Sequence, residues 1–83
     1  MLDESLKRAQ KVVVGLKQTS RALDKGEVRT VYVAKDADSR LLRPILEMCR
    51  TKKIQPVEVP SMAELGKACG IKVGAAVAAV LES

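Results

Sequence analysis

Apolar and polar residues follow one another along the chain in blocks that predict strands and helices in turn. Two short β-branched runs, at Val12–Val14 and residues 30–34, predict strands, and we expect the first to be fully buried. Apolar residues at helical spacing predict helices over about residues 3–10, 16–25, 41–53 and 61–69. A short strand is predicted at residues 55–59, where Pro56 favours an edge strand or a strand start.

Several residues mark where these helices begin and end. Asp3 is suited to cap the first helix, and Gly26 is placed to stop the second. The sequence SMAE at residues 61–64 is a capping box, and Gly70 follows the same helix where a left-handed residue is favoured. Pro44 leaves two interpretations open for the third helix, which either starts late or gives up one hydrogen bond there.

Residues 75–81 are apolar and rich in alanine, and their pattern leaves the choice of helix or strand open. Helix propensity favours a helix, whereas the length of the run and its place after a loop favour a central strand lined by small residues. With that strand, four helices and four strands alternate without a linker or repeat. This order predicts one domain over residues 1–83, a three-layer α/β/α sandwich with helices on both faces of a sheet.

The stretch that follows the first strand carries the first candidate site. Gly15 is predicted to be a hinge, after which a helix begins. At 100° per residue, Gln18 lies about 100° and Arg21 about 40° from Lys17, so these three side chains share one outward patch. The patch occupies the first turns, where free backbone N–H groups and the helix dipole favour an anion.

Composition narrows the class of partner. Fifteen Lys and Arg against ten Asp and Glu give a net charge of +5 and a pI near 9.5, which favours a polyanionic partner, most often nucleic acid. Tyr32 is the single aromatic residue, which argues against base stacking on an aromatic platform. An RNA partner would then be held by phosphate contacts, base-edge hydrogen bonds and aliphatic surfaces.

The sequence argues against catalytic and metal chemistry. There is no histidine, and Cys49 and Cys69 form no C-x-x-C pair, so we expect free thiols rather than a zinc site or a disulfide. Asp36 and Asp38 are two residues apart in a polar loop, where they are suited to hold a divalent cation or, more commonly, to act as turn residues and caps. No catalytic motif is present, and we expect neither an enzyme nor a cofactor.

The second candidate site is the glycine-bracketed stretch GIKVG at residues 70–74. It exposes two branched aliphatic side chains beside a lysine, which suits either simple packing or an apolar surface under an extruded base.

The longest apolar run is too short to cross a bilayer, and no secretory signal precedes the first polar residues. We therefore expect a cytoplasmic protein.

Three stretches together resemble the L7Ae/L30e family of ribosomal proteins, in particular its short bacterial members that bind kink-turn RNA. They are GLKQTSRAL at residues 15–23, VAKDADS at residues 33–39 and LGKACGIKVGAA at residues 65–76. The L-G-x-A-x-G block in the last stretch is the most specific part. The resemblance covers nearly the whole chain and implies an α/β/α sandwich around a mixed four-stranded sheet, in which residues 75–81 form a strand.

The family binds kink-turns, which are RNA duplexes sharply bent at a short bulge beside tandem sheared G·A pairs. By position, Gly15 would open the recognition helix, and Lys17, Gln18 and Arg21 would face the G·A pairs through the opened major groove. Many relatives have Asn-Glu where this chain has Lys17-Gln18. A glutamate accepts from guanine amino groups, whereas glutamine also donates and lysine adds charge, so the resemblance implies a larger electrostatic share here.

The resemblance implies two further contact elements. Asp38 would match a position that contacts a bulged nucleotide, and Leu42 would line the pocket of that nucleotide. A loop that packs on the bulge and sets the affinity would consist of Ile71, Lys72, Val73 and Gly74.

The implied partner is a structured RNA that contains a kink-turn, ribosomal or riboswitch-like. Neither DNA nor a membrane is expected as a partner, and nothing in the sequence suggests more than a monomer. One alternative is a protein-interaction or scaffold module that presents the same basic patch to an acidic partner. Another is a small nucleotide-binding domain, which depends only on the helix N-termini and the spacing of Gly66, Gly70 and Gly74.

Overall fold

Strands and helices alternate through residues 11–81, the part of the chain that the computed structural model describes. The predicted helix over residues 3–10 lies outside this part. In chain order the elements are β1 (Val12–Val14), α1 (Leu16–Lys25), β2 (Val28–Ala34), α2 (Ser39–Thr51), β3 (Val57–Val59), α3 (Met62–Ala68) and β4 (Val77–Leu81).

The four strands form one mixed sheet in the order β1-β4-β2-β3. The last strand, β4, lies in the middle and pairs antiparallel with both β1 and β2, whereas β2 and β3 are parallel. Ala79 has Val13 on one side and Val31 on the other. The alanine-rich segment is therefore a strand, as the resemblance implied, because two neighbours satisfy its backbone and its small side chains fit a sheet covered on both faces.

Two separate cores show that the sheet is covered on both faces. Alternate residues of β2 point in opposite directions: Val31 and Val33 belong to the core under α1 and α2, and Tyr32 and Ala34 to the core under α3. Leu65 of α3 is fully buried in the second core. Helices thus lie on both sides of a mixed four-stranded sheet, and the predicted three-layer α/β/α sandwich is confirmed.

Two expectations about burial are corrected by the sheet order. The strand Val12–Val14 is half-buried rather than fully buried, because it is the outermost strand beside β4. In α2 the buried stripe is narrower than the apolar pattern suggested. Leu41 and Leu46 remain 53% and 39% exposed, whereas Leu42 and Ile45 enter the core.

The predicted boundaries of α1 and α3 agree closely with the structure, whereas α2 begins and ends two residues earlier than the predicted residues 41–53. Gly26 ends α1 in the left-handed conformation, with φ of 72°, and its N–H donates to the carbonyls of Ala22 and Leu23. The hydroxyl of Ser61 accepts from the N–H of Glu64, which is one half of a capping box. Pro44 lies inside α2, so the interpretation in which the helix gives up one hydrogen bond holds.

Candidate nucleic-acid interface

One edge of the sheet gathers the two candidate sites of the sequence. Strands β1, β2 and β3 end there and β4 begins there, since Val14 pairs with Ala78, Val33 with Val77, and Ala34 with Val59. The start of α1 and the loops of residues 35–38 and 69–76 therefore open at the same place. We call it the loop edge.

A backbone hydrogen bond joins the start of α1 to the start of β4. The N–H of Gly15 donates to the carbonyl of Val77 over 2.9 Å, and the carbonyl of Gly15 accepts from Thr19 over 3.0 Å. Gly15 has φ of 103° and ψ of 158°, a conformation that is essentially restricted to glycine. Because the loop of residues 69–76 leads directly into Val77, this bond ties the start of α1 to the strand that follows the loop, at the same end of the sheet.

The outer face of α1 carries the three predicted polar side chains. Lys17, Gln18 and Arg21 are all exposed, whereas Ala22 and Leu23 are buried against the sheet. No side chain caps the start of α1, and the first N–H groups of an α-helix have no intrahelical acceptor. Two cations and an amide thus surround the positive end of a helix dipole.

The loop of residues 71–74 is fixed to α3 at both of its ends. The N–H of Ile71 donates to Gly66, and the N–H of Ala75 donates to Met62, each over 3.0 Å. Ile71 is half-buried against the core under α3, whereas Val73 is 71% exposed. The loop therefore presents an aliphatic tip on a firmly attached base.

Exposed residues flank that aliphatic tip on either side. Lys72 and Gly74 are both exposed. Gly70 precedes the loop in a left-handed conformation, with φ of 79°. The loop accordingly offers a cation and a branched side chain at one place.

The two aspartates of the adjacent loop act as caps. Asp38 accepts from the N–H of Arg40 over 2.9 Å at the start of α2 and forms an ion pair with the Arg40 side chain at 3.3 Å. Asp36 accepts from the N–H of Met62 over 2.8 Å, which ties this loop to the start of α3. The sequence left open whether these aspartates hold a divalent cation or cap neighbouring elements, and the hydrogen bonds support the capping role. Residues 11–81 contain no group of three or more potential metal ligands.

Leu42 is buried in the core, at 7% exposure, and also lines an open cleft of about 390 Å³ between α2 and β3. Lys35, Gln55, Pro56 and Glu58 line the same cleft. Asp38 does not line the cleft, although it lies one helical turn before Leu42, whose N–H donates to the Asp38 carbonyl over 3.3 Å. The predicted contacts of both residues with a bulged nucleotide stay predictions.

The charge at the loop edge is largely uncompensated. The only ion pair within residues 11–81 joins Arg40 to Asp38, so Lys17, Arg21 and Lys72 have no carboxylate partner there. Lys35 follows the end of β2 and adds a cation at the same edge. The sequence reading missed Lys35, although its position directly after a predicted strand is a usable signal.

The two cysteines are free thiols, as predicted. Cys49 is buried in the core under α2, and Cys69 is half-buried at the end of α3. Burial raises the pKa of both thiols, because the low-polarity surroundings disfavour the thiolate.

Within the described chain, no helix combines the length and apolar character that crossing a membrane requires.

The fold and this edge define a class of small α/β/α domains with a basic helix and an aliphatic loop at one side of a mixed sheet. Residues 2–83 match the Ribosomal protein L7Ae/L30e/S12e/Gadd45 family. The chain is 44% identical over 78 residues to the RNA-binding protein YbxF of Geobacillus stearothermophilus, a match that covers 94% of this chain and 95% of the relative. The chain belongs to this family.

Other similar proteins agree with this assignment. An RNA-binding protein of Halalkalibacterium halodurans is 46% identical over 77 residues, covering 93% of this chain and 94% of the relative. Among solved structures, the Giardia lamblia 15.5kD RNA binding protein superposes with a TM-score of 0.87 at 24% identity, over 94% of this chain and 68% of that one. The similarity to the Giardia protein shows that the two chains share a fold.

Proposed function

We propose that this protein binds RNA and recognises kink-turns, and that it acts by binding rather than by catalysis. The observation that carries the proposal is the hydrogen bond from Gly15 to Val77, which ties the basic start of α1 to the strand that follows the loop of residues 71–74. Similar proteins of the same family are named as RNA-binding proteins. We further propose that it acts as a monomer in the cytoplasm.

The start of α1 suits guanine edges and phosphates. Lysine and arginine side chains donate to the O6 and N7 of guanine, and a glutamine amide both donates and accepts. Lys17, Gln18 and Arg21 are exposed on one face and lie beside N–H groups that favour an anion. In a kink-turn, the sheared G·A pairs would present their edges to this face.

The aliphatic loop suits an unstacked nucleotide. Bases that leave a helical stack need an apolar surface, and Val73 offers an exposed one beside Lys72. A straight duplex offers no such base, so contact with both elements requires the bent RNA. Binding would therefore shift the RNA from its extended to its kinked form, because only the kinked form gains these contacts.

A gel shift with two RNAs tests this function. The first RNA contains a kink-turn, and the second has the same length but Watson–Crick pairs in place of the G·A pairs. We expect the first to bind much more tightly at the same salt concentration. Equal affinity for both would contradict kink-turn recognition and would leave non-specific RNA binding. Absence of binding to both would favour the protein-interaction alternative.

A further inference from the structure

The edge of the sheet opposite the loop edge carries a second basic surface. Strand β2 begins there, and α1 and α2 both end there. Arg29 and Lys52 line one depression of about 360 Å³, together with Leu23, Gly26, Val28 and Ile54. We call the exposed cations at this end of the molecule the distal surface. Arg29 and Lys52 line the depression, and Lys25, Arg50 and Lys53 lie at the adjoining helix ends.

The cations of the distal surface are not paired with carboxylates of the described residues. None of the five forms an ion pair with a carboxylate in residues 11–81. Asp24 and Glu27 are the acidic residues of the adjoining helix end and turn, and both are exposed. An excess of positive charge around one depression is self-repulsive, and a bound polyanion would relieve that repulsion.

The helix dipole explains only part of this arrangement. Lys25 and Arg50 lie in the last turns of their helices, where cations are favoured in any case. Arg29, however, is in a strand and faces the same depression as Lys52. The dipole gives no reason for its charge.

The backbone at Lys53 adds an independent observation. Lys53 has φ of 60°, and no other non-glycine residue of the described chain has a positive φ. A left-handed position after a helix normally favours glycine, and another residue there is disfavoured. The chain thus carries a cation at a position where the backbone disfavours it.

We propose that the distal surface binds the phosphate backbone of a second RNA segment, in duplex form. Lysine and arginine around an open depression suit phosphates, and no aromatic or amide side chain lines the depression to read a base. The helix α1 is about 15 Å long and runs from the loop edge to the distal surface, and Arg21 and Lys25 lie one turn apart along it. The inference does not depend on the kink-turn proposal, because a plain duplex is the ligand.

The test uses a protein in which the loop edge is disabled by Lys17→Gln and Arg21→Gln. Into this background we introduce Arg29→Gln with Lys52→Gln, and measure binding of a short perfectly paired RNA duplex by fluorescence anisotropy across a salt series. Two lost phosphate contacts should lower the slope of log affinity against log salt by about 2, and the affinity at low salt by about tenfold. Arg43→Gln, at an exposed position within α2, is the matched control and should change neither value.

A second variant reverses the sign of the effect. Glu27→Gln removes a negative charge at the same end of the molecule and should strengthen duplex binding. The proposal is overturned if the loop-edge variant binds no duplex, or if Arg29→Gln with Lys52→Gln changes affinity no more than Arg43→Gln does. Binding to vesicles of anionic phospholipid without binding to the duplex would also overturn it. Circular dichroism of each variant shows whether the fold is retained.

Discussion

Gly66 lies so close to Val73 that a β-carbon at position 66 would collide with the carbonyl oxygen of Val73. The glycine of the L-G-x-A-x-G block therefore allows the loop of residues 71–74 to pack directly on α3. Gly66 is buried, and its carbonyl also accepts the hydrogen bond from Ile71. The position of the aliphatic tip at the loop edge depends on this contact.

Gly66→Ala should displace the loop. Because backbone rather than a flexible side chain must move, we expect a loss of about 1–3 kcal/mol in the free energy of unfolding and weaker RNA binding. Gly74→Ala is the comparison for stability, since its β-carbon would lie 3.1 Å from the β-carbon and 3.4 Å from the carbonyl group of Met62, which requires a much smaller shift than the collision at Gly66. Urea denaturation and RNA titration measure both effects, and equal effects of the two variants would contradict this role of Gly66.

Gly15→Ala should strain the start of α1. No atom lies within 4 Å of a β-carbon at this position, so the cost arises from the backbone angle alone. We expect a loss of about 1–3 kcal/mol in the free energy of unfolding. Gly26→Asn, at φ of 72°, should cost less because asparagine tolerates the left-handed region. Chemical denaturation measures the free energy of unfolding of both variants. A smaller loss for Gly15→Ala than for Gly26→Asn would contradict backbone strain at position 15.

Lys17→Ala and Arg21→Ala should each weaken kink-turn binding by about 1–3 kcal/mol if the side chains meet guanine edges. Arg43→Ala removes an exposed cation from α2 and serves as the control for net charge. Titration at one fixed salt concentration compares the three variants. Unchanged affinity in the α1 variants would remove this helix from the interface, and equal loss in all three would indicate a general electrostatic effect.

Thr19→Val should stabilise the fold. The Thr19 side chain is fully buried, and its hydroxyl has no hydrogen-bond partner in the described chain. Valine has nearly the same shape and removes the unsatisfied group, so we expect a gain of about 1 kcal/mol in the free energy of unfolding. Thr19→Ala, which leaves a cavity, should destabilise instead. A loss of stability in Thr19→Val would show that the hydroxyl has a partner.

Alkylation of Cys69 should be slow at neutral pH. Burial raises the pKa of this thiol above its ordinary value of 9.0, and only the thiolate reacts. The rate with iodoacetamide, followed by mass spectrometry, should therefore increase as the pH passes 9 and continue to rise above it. Cys69→Ser identifies the remaining signal of Cys49. Rapid labelling of Cys69 at pH 7 would contradict a raised pKa.

Local sequence determined the helices and the polar face of α1. Gly15 and Gly26 bracket a ten-residue helix, because one takes a conformation that is essentially restricted to glycine and the other a left-handed cap. The 3.6-residue period then places Lys17 and Arg21 outward whatever the helix packs against. These features depend on neighbours in the chain, and they were therefore predictable.

Only the tertiary structure decided which strands lie in the middle of the sheet. For residues 77–81 helix propensity favours a helix, whereas the length and position of the segment favour a central strand, and pairing with β1 and β2 makes them an interior strand. Val12–Val14 has the same β-branched composition as a buried strand, yet it lies outermost and remains half-buried. Sheet position is a property of pairing, which residue type alone does not encode.

The sequence by itself determined the two candidate elements, and the tertiary structure decided that they meet. Residues 15–21 and 71–74 lie far apart in the chain. Gly15 is bonded to Val77 at the start of β4, and the loop that leads into β4 is held on α3 by the contact of Val73 with Gly66. The distal surface likewise forms only when residues 29 and 52 come together around one depression. Composition and periodicity fix what each segment is, whereas long-range hydrogen bonds and packing fix which segments share a surface.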